Sequence, residues 1–376
     1  MTARFIPIAE PFTGPEELEA LRAPFDRGWL TQGPAVGEFE RSFAERHSVP
    51  HALATTSCTT ALQLVLAAIG VGPGDEVIIP AFTWVATANV VRLCGATPVF
   101  ADVNGVTFNI DPSSAAALVT DATKAIIPVH LFGLCVDVDE LRSVLPPSVA
   151  IVEDAACATG AELRNRTAGG LGDAAAFSFH PRKIITTGEG GMLTTISEEL
   201  AGRAEILRNH GATVSEEVRH HGPQPYLLPA FEEVGFNFRM TDMQGAVGLV
   251  QMSRLDTLLA ERSERAAWYR EELSDVGWLR QPSEPIGYKH AWQSYVTLVD
   301  EETSPAPRNE LMGRLHAAGV STRPGTHAVS ALGAYRATAN RCPTAEWLQA
   351  STMAIPLHNR MSDDDFAYVV AAIRSL

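Results

Sequence analysis

Positive charge is scarce in this 376-residue chain, which carries 29 lysines and arginines against 44 acidic residues for a net charge of −15. With no basic stripe or arginine-rich run, nucleic acid is excluded as a partner, and any small anionic ligand must be met by local amides and a few cations. Cysteine is also sparse. The five thiols, Cys58, Cys94, Cys135, Cys157 and Cys342, are odd in number and lack metal-ligand spacing, so neither a disulfide framework nor a metal centre is expected. No stretch is apolar enough to span a membrane, and Met1-Thr2-Ala3-Arg4-Phe5-Ile6-Pro7 lacks the apolar segment of a signal peptide. A cytoplasmic protein with reduced thiols is the expectation, and the sequon Asn165-Arg166-Thr167 is then idle.

What the chain does have is apolar residues, 46% of the total, enough for a large core and two lobes. From about Val36 to Met192 short apolar strands alternate with helical stretches, and the strands end near Thr56, Pro80, Val103, Val129, Asp154, Phe179 and Thr195. This alternation predicts an α/β fold with a mostly parallel sheet and ligands at the strands' carboxyl ends. A capping box, Thr241 with Gln244, opens a long helix through Leu255, Leu258 and Leu259 towards Tyr269. We expect it to bridge a large domain, residues 1–245 with the N-terminal segment included, to a smaller α+β domain, 246–376, holding a strand near 293–299 and a final helix over 364–375. The polar stretch 212–233 has no clear period and reads as a mobile loop over the substrate.

Chemistry gathers at the strand ends. Lys183 follows the strand-like Ala174-Ala175-Ala176-Phe177-Ser178 and precedes the turn Thr186-Thr187-Gly188-Glu189-Gly190-Gly191, a thin backbone beside an amine suited to Schiff-base chemistry. Upstream, Val149-Ala150-Ile151-Val152-Glu153 delivers Asp154, a carboxylate able to keep a pyridine nitrogen protonated. Trp84 brings an indole to the same edge for stacking on a flat ring. Ser57-Cys58-Thr59-Thr60 opens an apolar helix whose first amides and hydroxyls can seat a phosphate. Other features read more plainly. Gly70-Val71-Gly72-Pro73-Gly74 follows a helix and ends it, and His220-His221 is a solvated pair rather than a metal site. His130 is a core histidine, and His180 either tunes the lysine's pocket or merely packs.

Together these residues resemble the fold-type I pyridoxal 5'-phosphate (PLP) enzymes, and more closely the DegT/DnrJ/EryC1/StrS family of sugar aminotransferases. Gly28-Trp29-Leu30-Thr31-Gln32-Gly33-Pro34, Gly72-Pro73-Gly74-Asp75-Glu76-Val77, Ile127-Pro128-Val129-His130-Leu131-Phe132-Gly133, Leu207-Arg208-Asn209-His210-Gly211 and Gly235-Phe236-Asn237-Phe238-Arg239-Met240 extend the likeness from about residue 5 to the C-terminus. The resemblance implies that Lys183 bonds the cofactor, Asp154 pairs with its ring nitrogen, Trp84 stacks on the ring, and Ser57, Cys58, Thr59 and Ser178 hold the phosphate. It also implies a homodimer with shared sites, Asn237 reaching the neighbour's phosphate, and His327, Arg239 and Thr31 near the substrate. Two positions depart from the common pattern. Cys157 replaces a glutamine that touches the ring hydroxyl, and Cys58 replaces a glycine of the phosphate seat.

The implied reaction is transamination from glutamate to a nucleotide-linked keto-deoxysugar. The stretch from Thr186 to Gly191 resembles the branch that makes 4-amino-4,6-dideoxysugars. Family neighbours also aminate cyclitol ketones or form an aminobenzoate precursor. A sugar 3-dehydratase on this fold would carry histidine in place of Lys183, and a non-enzymatic regulator would have lost Lys183 or Asp154.

Overall fold

The structure is a computed structural model describing residues 4–214, 222, 226, 228–337 and 339–376. Its centre is a seven-stranded sheet built from β1 (His51–Thr55), β2 (Glu76–Pro80), β3 (Thr97–Ala101), β4 (Thr123–Ile126), β5 (Ala150–Asp154), β6 (Ala174–Ser178) and β7 (Gly191–Thr195). The order is β1-β7-β6-β5-β4-β2-β3. The β6, β5, β4, β2 and β3 neighbours pair in parallel, whereas β7 runs antiparallel to both β1 and β6. β6 and β7 are buried along their whole length, as strands covered on both faces must be.

The expected strand ends agree with this sheet except at two places. The strand expected to end near Val129 leaves the regular ladder at Ile126, because Pro128 has no N–H to donate, and Val129 keeps only an isolated bridge to Asp154. That expected near Val103 stops at Ala101, with Val103 bridging Ile110 instead.

Helix α1 (Pro34–His47) packs on the sheet through Phe39 and Phe43, both fully buried. Helix α2 (Cys58–Ala68) follows β1 directly, and α3 (Asp242–Glu272) is the long helix expected from the Thr241–Gln244 capping box, which is present. The expected boundary at residue 245 falls inside α3. Beyond it, Tyr295–Val299 pairs with Leu279–Arg280 and Thr352–Ile355, and the last helix runs Asp363–Arg374. The N-terminal segment is shared between the two parts: Ile8 and Phe12 pack against the cores of the large sheet, and Ile6 joins the C-terminal part. Ile6 exchanges main-chain hydrogen bonds with Gly319 and Ser321, at 2.8 and 3.0 Å, and packs into the core formed by Leu311, Val320 and Phe366. A lone apolar residue gains most by entering whichever core its backbone can pair with, and the pairing spans nearly the whole chain.

The ends of the expected loop 212–233 pair with each other, Ala212 opposite Phe231. Residues 215–221, including His220 and His221, and residues 223–225 and 227 lie outside the described residues. Among the described residues no helix is long and apolar enough to cross a membrane, and no cluster of histidine, cysteine and carboxylate side chains could hold a metal ion.

Candidate active site

Asp154 ends β5 at the sheet's carboxyl edge and is 5% exposed. Its Oδ2 accepts from Thr87 Oγ1 at 2.8 Å, and its Oδ1 accepts from the Ala156 amide at 3.2 Å and, weakly, from the Cys58 thiol at 3.9 Å. Among the described residues no lysine, arginine or histidine forms an ion pair with it. A buried carboxylate without a directly bonded cation is costly, and the only cation that acts on it among the described residues, Lys183, does so without a hydrogen bond or ion pair.

Lys183 lies in the turn after β6, its amide donating to the His180 carbonyl at 2.8 Å, and its Nζ is 3.2 Å from Cys157 Sγ. Burial works against the charged amine, but Cys157, Cys58 and Asp154 together outweigh burial and hold the ammonium above the usual lysine range. The Cys58 thiol is pushed well above its ordinary range by burial first and by Asp154 second. Lys183, Cys157, Cys58 and Asp154 thus form one cluster drawn from three segments, with Cys58 and Asp154 buried and Lys183 and Cys157 half-buried.

The expected phosphate seat lies where β1 turns into α2. Ser57 caps the helix, its Oγ accepting from the Thr60 amide at 3.1 Å while its own amide donates to Thr60 Oγ1 at 3.0 Å. The Ser57 hydroxyl is therefore engaged by the helix. The amides of Cys58 and Thr59 sit in the first turn, where a helix has no carbonyl to offer them. Gly191, opposite Ser178 in the β6–β7 ladder, closes the seat. A Cβ on Gly191 would lie 2.3 Å from the Ser57 carbonyl carbon and 2.5 Å from the Cys58 nitrogen, so only glycine lets β7 come this close. Free first-turn amides, the nearby Ser178 hydroxyl, a buried carboxylate without a directly bonded cation and a lysine amine fit PLP as a set.

In front of this cluster, Phe82–Thr83 pairs with His327–Ala328, which sets the Trp84 and His327 rings 5.7 Å apart at 46°. Trp84 is 61% exposed and, with His327, Arg182, Gln293 and Arg323, lines a cavity of about 660 Å³. Sequence reasoning did not single out Arg182, Arg323 or Gln293. The available signals are the adjacency of Arg182 to Lys183 and the place of Arg323 in the stretch Thr322-Arg323-Pro324-Gly325-Thr326-His327.

Three expected substrate or partner residues lie elsewhere in the single chain. The Thr31 carbonyl accepts from the Asp242 amide at the start of α3, and Arg239 donates to Asn209 Oδ1 while its backbone bridges Thr55. Asn237 is exposed on the segment that pairs with Asn209, next to Phe238, whose carbonyl accepts from the Thr56 amide at 3.0 Å. None of the three lines the cavity by Trp84. His130 is the core histidine expected, with Nε2 2.7 Å from Glu153 and Nδ1 accepting from the Val136 amide.

The sequence matches the profile of the DegT/DnrJ/EryC1/StrS aminotransferase family over residues 11–374. The chain belongs to that family. It is similar to the GDP-perosamine synthase of Caulobacter vibrioides, 38% identical over 372 residues that cover 98% of this chain and 97% of that one. The crystal structure of the aminotransferase TlmJ from Streptoalloteichus hindustanus superimposes with a TM-score of 0.91 at 33% identity, covering 99% and 98% of the two chains. The PLP-form of Spr1654 from Streptococcus pneumoniae also gives 0.91, at 28% identity over 99% of this chain and 98% of that one. The chain is therefore a PLP-dependent aminotransferase of the α/β fold expected, with sugar aminotransferases among its relatives.

Proposed function

We propose that this aminotransferase moves an amino group from glutamate to a nucleotide-linked keto-deoxysugar, with formation of a 4-amino-4,6-dideoxysugar as the favoured outcome. The observation that carries the reading is the joining of Lys183 and the unpaired, buried Asp154 at one sheet edge beside a free helix start. The likeness to a protein named GDP-perosamine synthase supports a nucleotide sugar as acceptor. Lysine rather than histidine at position 183 favours transamination over 3-dehydration, and retention of both residues speaks against a regulator.

The bound PLP supplies an aldehyde that amines can join and a ring that draws electrons from the carbon losing its proton. The chain's residues do the rest. Asp154 keeps a positive charge at the ring nitrogen, the Cys58 and Thr59 amides with Ser178 hold the phosphate, and Trp84 covers the ring face. Lys183 Nζ, once freed by the incoming amine, takes up the proton that leaves the donor's amine-bearing carbon. The site around Lys183 favours the ammonium, so it stabilises the lysine once that proton has been taken up.

A homodimer with shared sites completes the proposal, Asn237 serving the neighbour's phosphate and Arg239 and Thr31 the neighbour's substrate. Their absence from the cavity within one chain and the exposure of Asn237 support it. The test is reduction with borohydride followed by peptide mapping, then a spectrophotometric half-reaction with glutamate and a screen of nucleotide ketosugars for the reverse half. The cofactor is expected on Lys183. Recovery on Lys124 or Lys289 would overturn the assignment.

A further inference from the structure

The chain is strongly acidic, yet the cavity behind Trp84 and His327 has no carboxylate among its lining residues and three arginines. One of them, Arg308, donates to the main-chain carbonyls of Gln349 and Thr352 and is committed to holding that helix end. The other two differ. Arg182 has its carbonyl pinned by Gln293 Nε2 at 2.5 Å, and Arg323 is pinned by main-chain bonds in both directions with Ala354, at 3.2 and 2.7 Å. Both side chains are exposed at the cavity, and no carboxylate pairs with either guanidinium among the described residues. A fixed backbone with an unengaged planar fork is a receptor for an oxyanion, and the fork matches a carboxylate bidentately.

Geometry within a substrate decides which oxyanion. In an amino acid the carboxylate is one bond from the carbon that loses its proton, so it must be held within reach of Lys183; Lys183 itself does not line the cavity, and Arg182, the residue immediately before it, links the two along the chain. In a nucleotide sugar the ring separates the reacting carbonyl from the diphosphate, which therefore sits farther from the lysine. A dicarboxylate donor also presents two anions to two guanidiniums. We infer that the cavity behind Trp84 and His327 is the donor's dicarboxylate site, with Arg182 and Arg323 receiving its carboxylates. The inference rests on the proposal that glutamate is the donor.

The test titrates the PLP-loaded protein with glutarate, a dicarboxylate without an amine, by calorimetry, and repeats the titration for Arg182→Gln and Arg323→Gln. Both side chains are exposed and unpaired, so the variants fold. Saturable glutarate binding that weakens roughly tenfold or more in each variant is expected, as for loss of a charge-assisted hydrogen bond, with no competition from a nucleoside diphosphate. The same variants should lose preference for glutamate over alanine in the donor half-reaction. Absence of saturable glutarate binding, equal binding by the variants, or displacement of glutarate by a nucleoside diphosphate with parallel loss of its affinity in the variants would each overturn the inference. Arginine-dependent glutarate binding in a protein that glutamate cannot convert would support the carboxylate site while refuting glutamate as donor. Conversion by glutamate with arginine-independent glutarate binding would refute the site and leave the donor standing.

Discussion

Glu153 and Asp154 are neighbours at the end of one strand, both buried, and they have opposite fates. Strand alternation sends them to opposite faces of the sheet. Glu153 is saturated: Oε1 accepts from the amides of Leu171 and Gly172 at 2.8 and 2.7 Å, and Oε2 from the Gly169 amide at 2.8 Å and His130 Nε2 at 2.7 Å. Burial pushes its proton affinity up, but His130 and the glycine amides outweigh burial and hold the carboxyl below its ordinary value of 4.5. Asp154 has one strong donor, Thr87, a longer amide and a distant thiol. The saturated carboxylate ties the sheet to the loop behind it, and the under-supplied one is the member to which we assign chemistry. Incomplete satisfaction, not burial, distinguishes the two carboxylates.

Exchanging the two charges for amides should separate the roles. Glu153→Gln puts an NH₂ group against donors that need an acceptor, and we expect a loss of about 3–5 kcal/mol in denaturant unfolding, as for breaking a buried pair. The deficit should depend on pH. A depressed folded pKa stabilises the wild type above the unfolded value near 4.5, and that contribution disappears as pH falls through the folded value, so wild type and variant should converge in acid. Next in size, Asp154→Asn should retain PLP yet slow the half-reaction with glutamate about a hundredfold, the scale of losing a positioned electrostatic partner. A variant that converts at the parent rate would make Asp154 as structural as its neighbour. Smallest, Thr87→Val removes the strong donor to Asp154 Oδ2 and should slow the same half-reaction about fivefold. A large loss of stability there would instead place Thr87 with the Glu153 network.

Much of this contrast was legible before folding. The strand end at Asp154 and the helix start at Ser57–Thr60 are legible because each closes an apolar run, and a strand's end is written in its own residues. The Thr241–Gln244 cap is local in the same way. What escaped the sequence depends on distant partners. Nothing around Ile6 announces that it will pair beside Val320, and nothing around Arg323 announces that it will share a cavity with Arg182. Nor does an all-buried strand reveal its direction, so the antiparallel course of β7 has no signature in Gly191-Met192-Leu193-Thr194-Thr195. Cys157 was noticed only as a departure from a family pattern, and its approach to Lys183 Nζ came from the fold.

The β1–β7 ladder also sets a schedule for synthesis. β1 is an edge strand whose one neighbour in the sheet is β7, and the Cys58 amide is walled in by Gly191. A chain emerging from the ribosome therefore carries the start of its phosphate seat from residue 57 onward but cannot close it until Thr195 has followed. Cofactor capture is consequently an event late in the assembly of this sheet, governed by a contact of high sequence separation and slow closure.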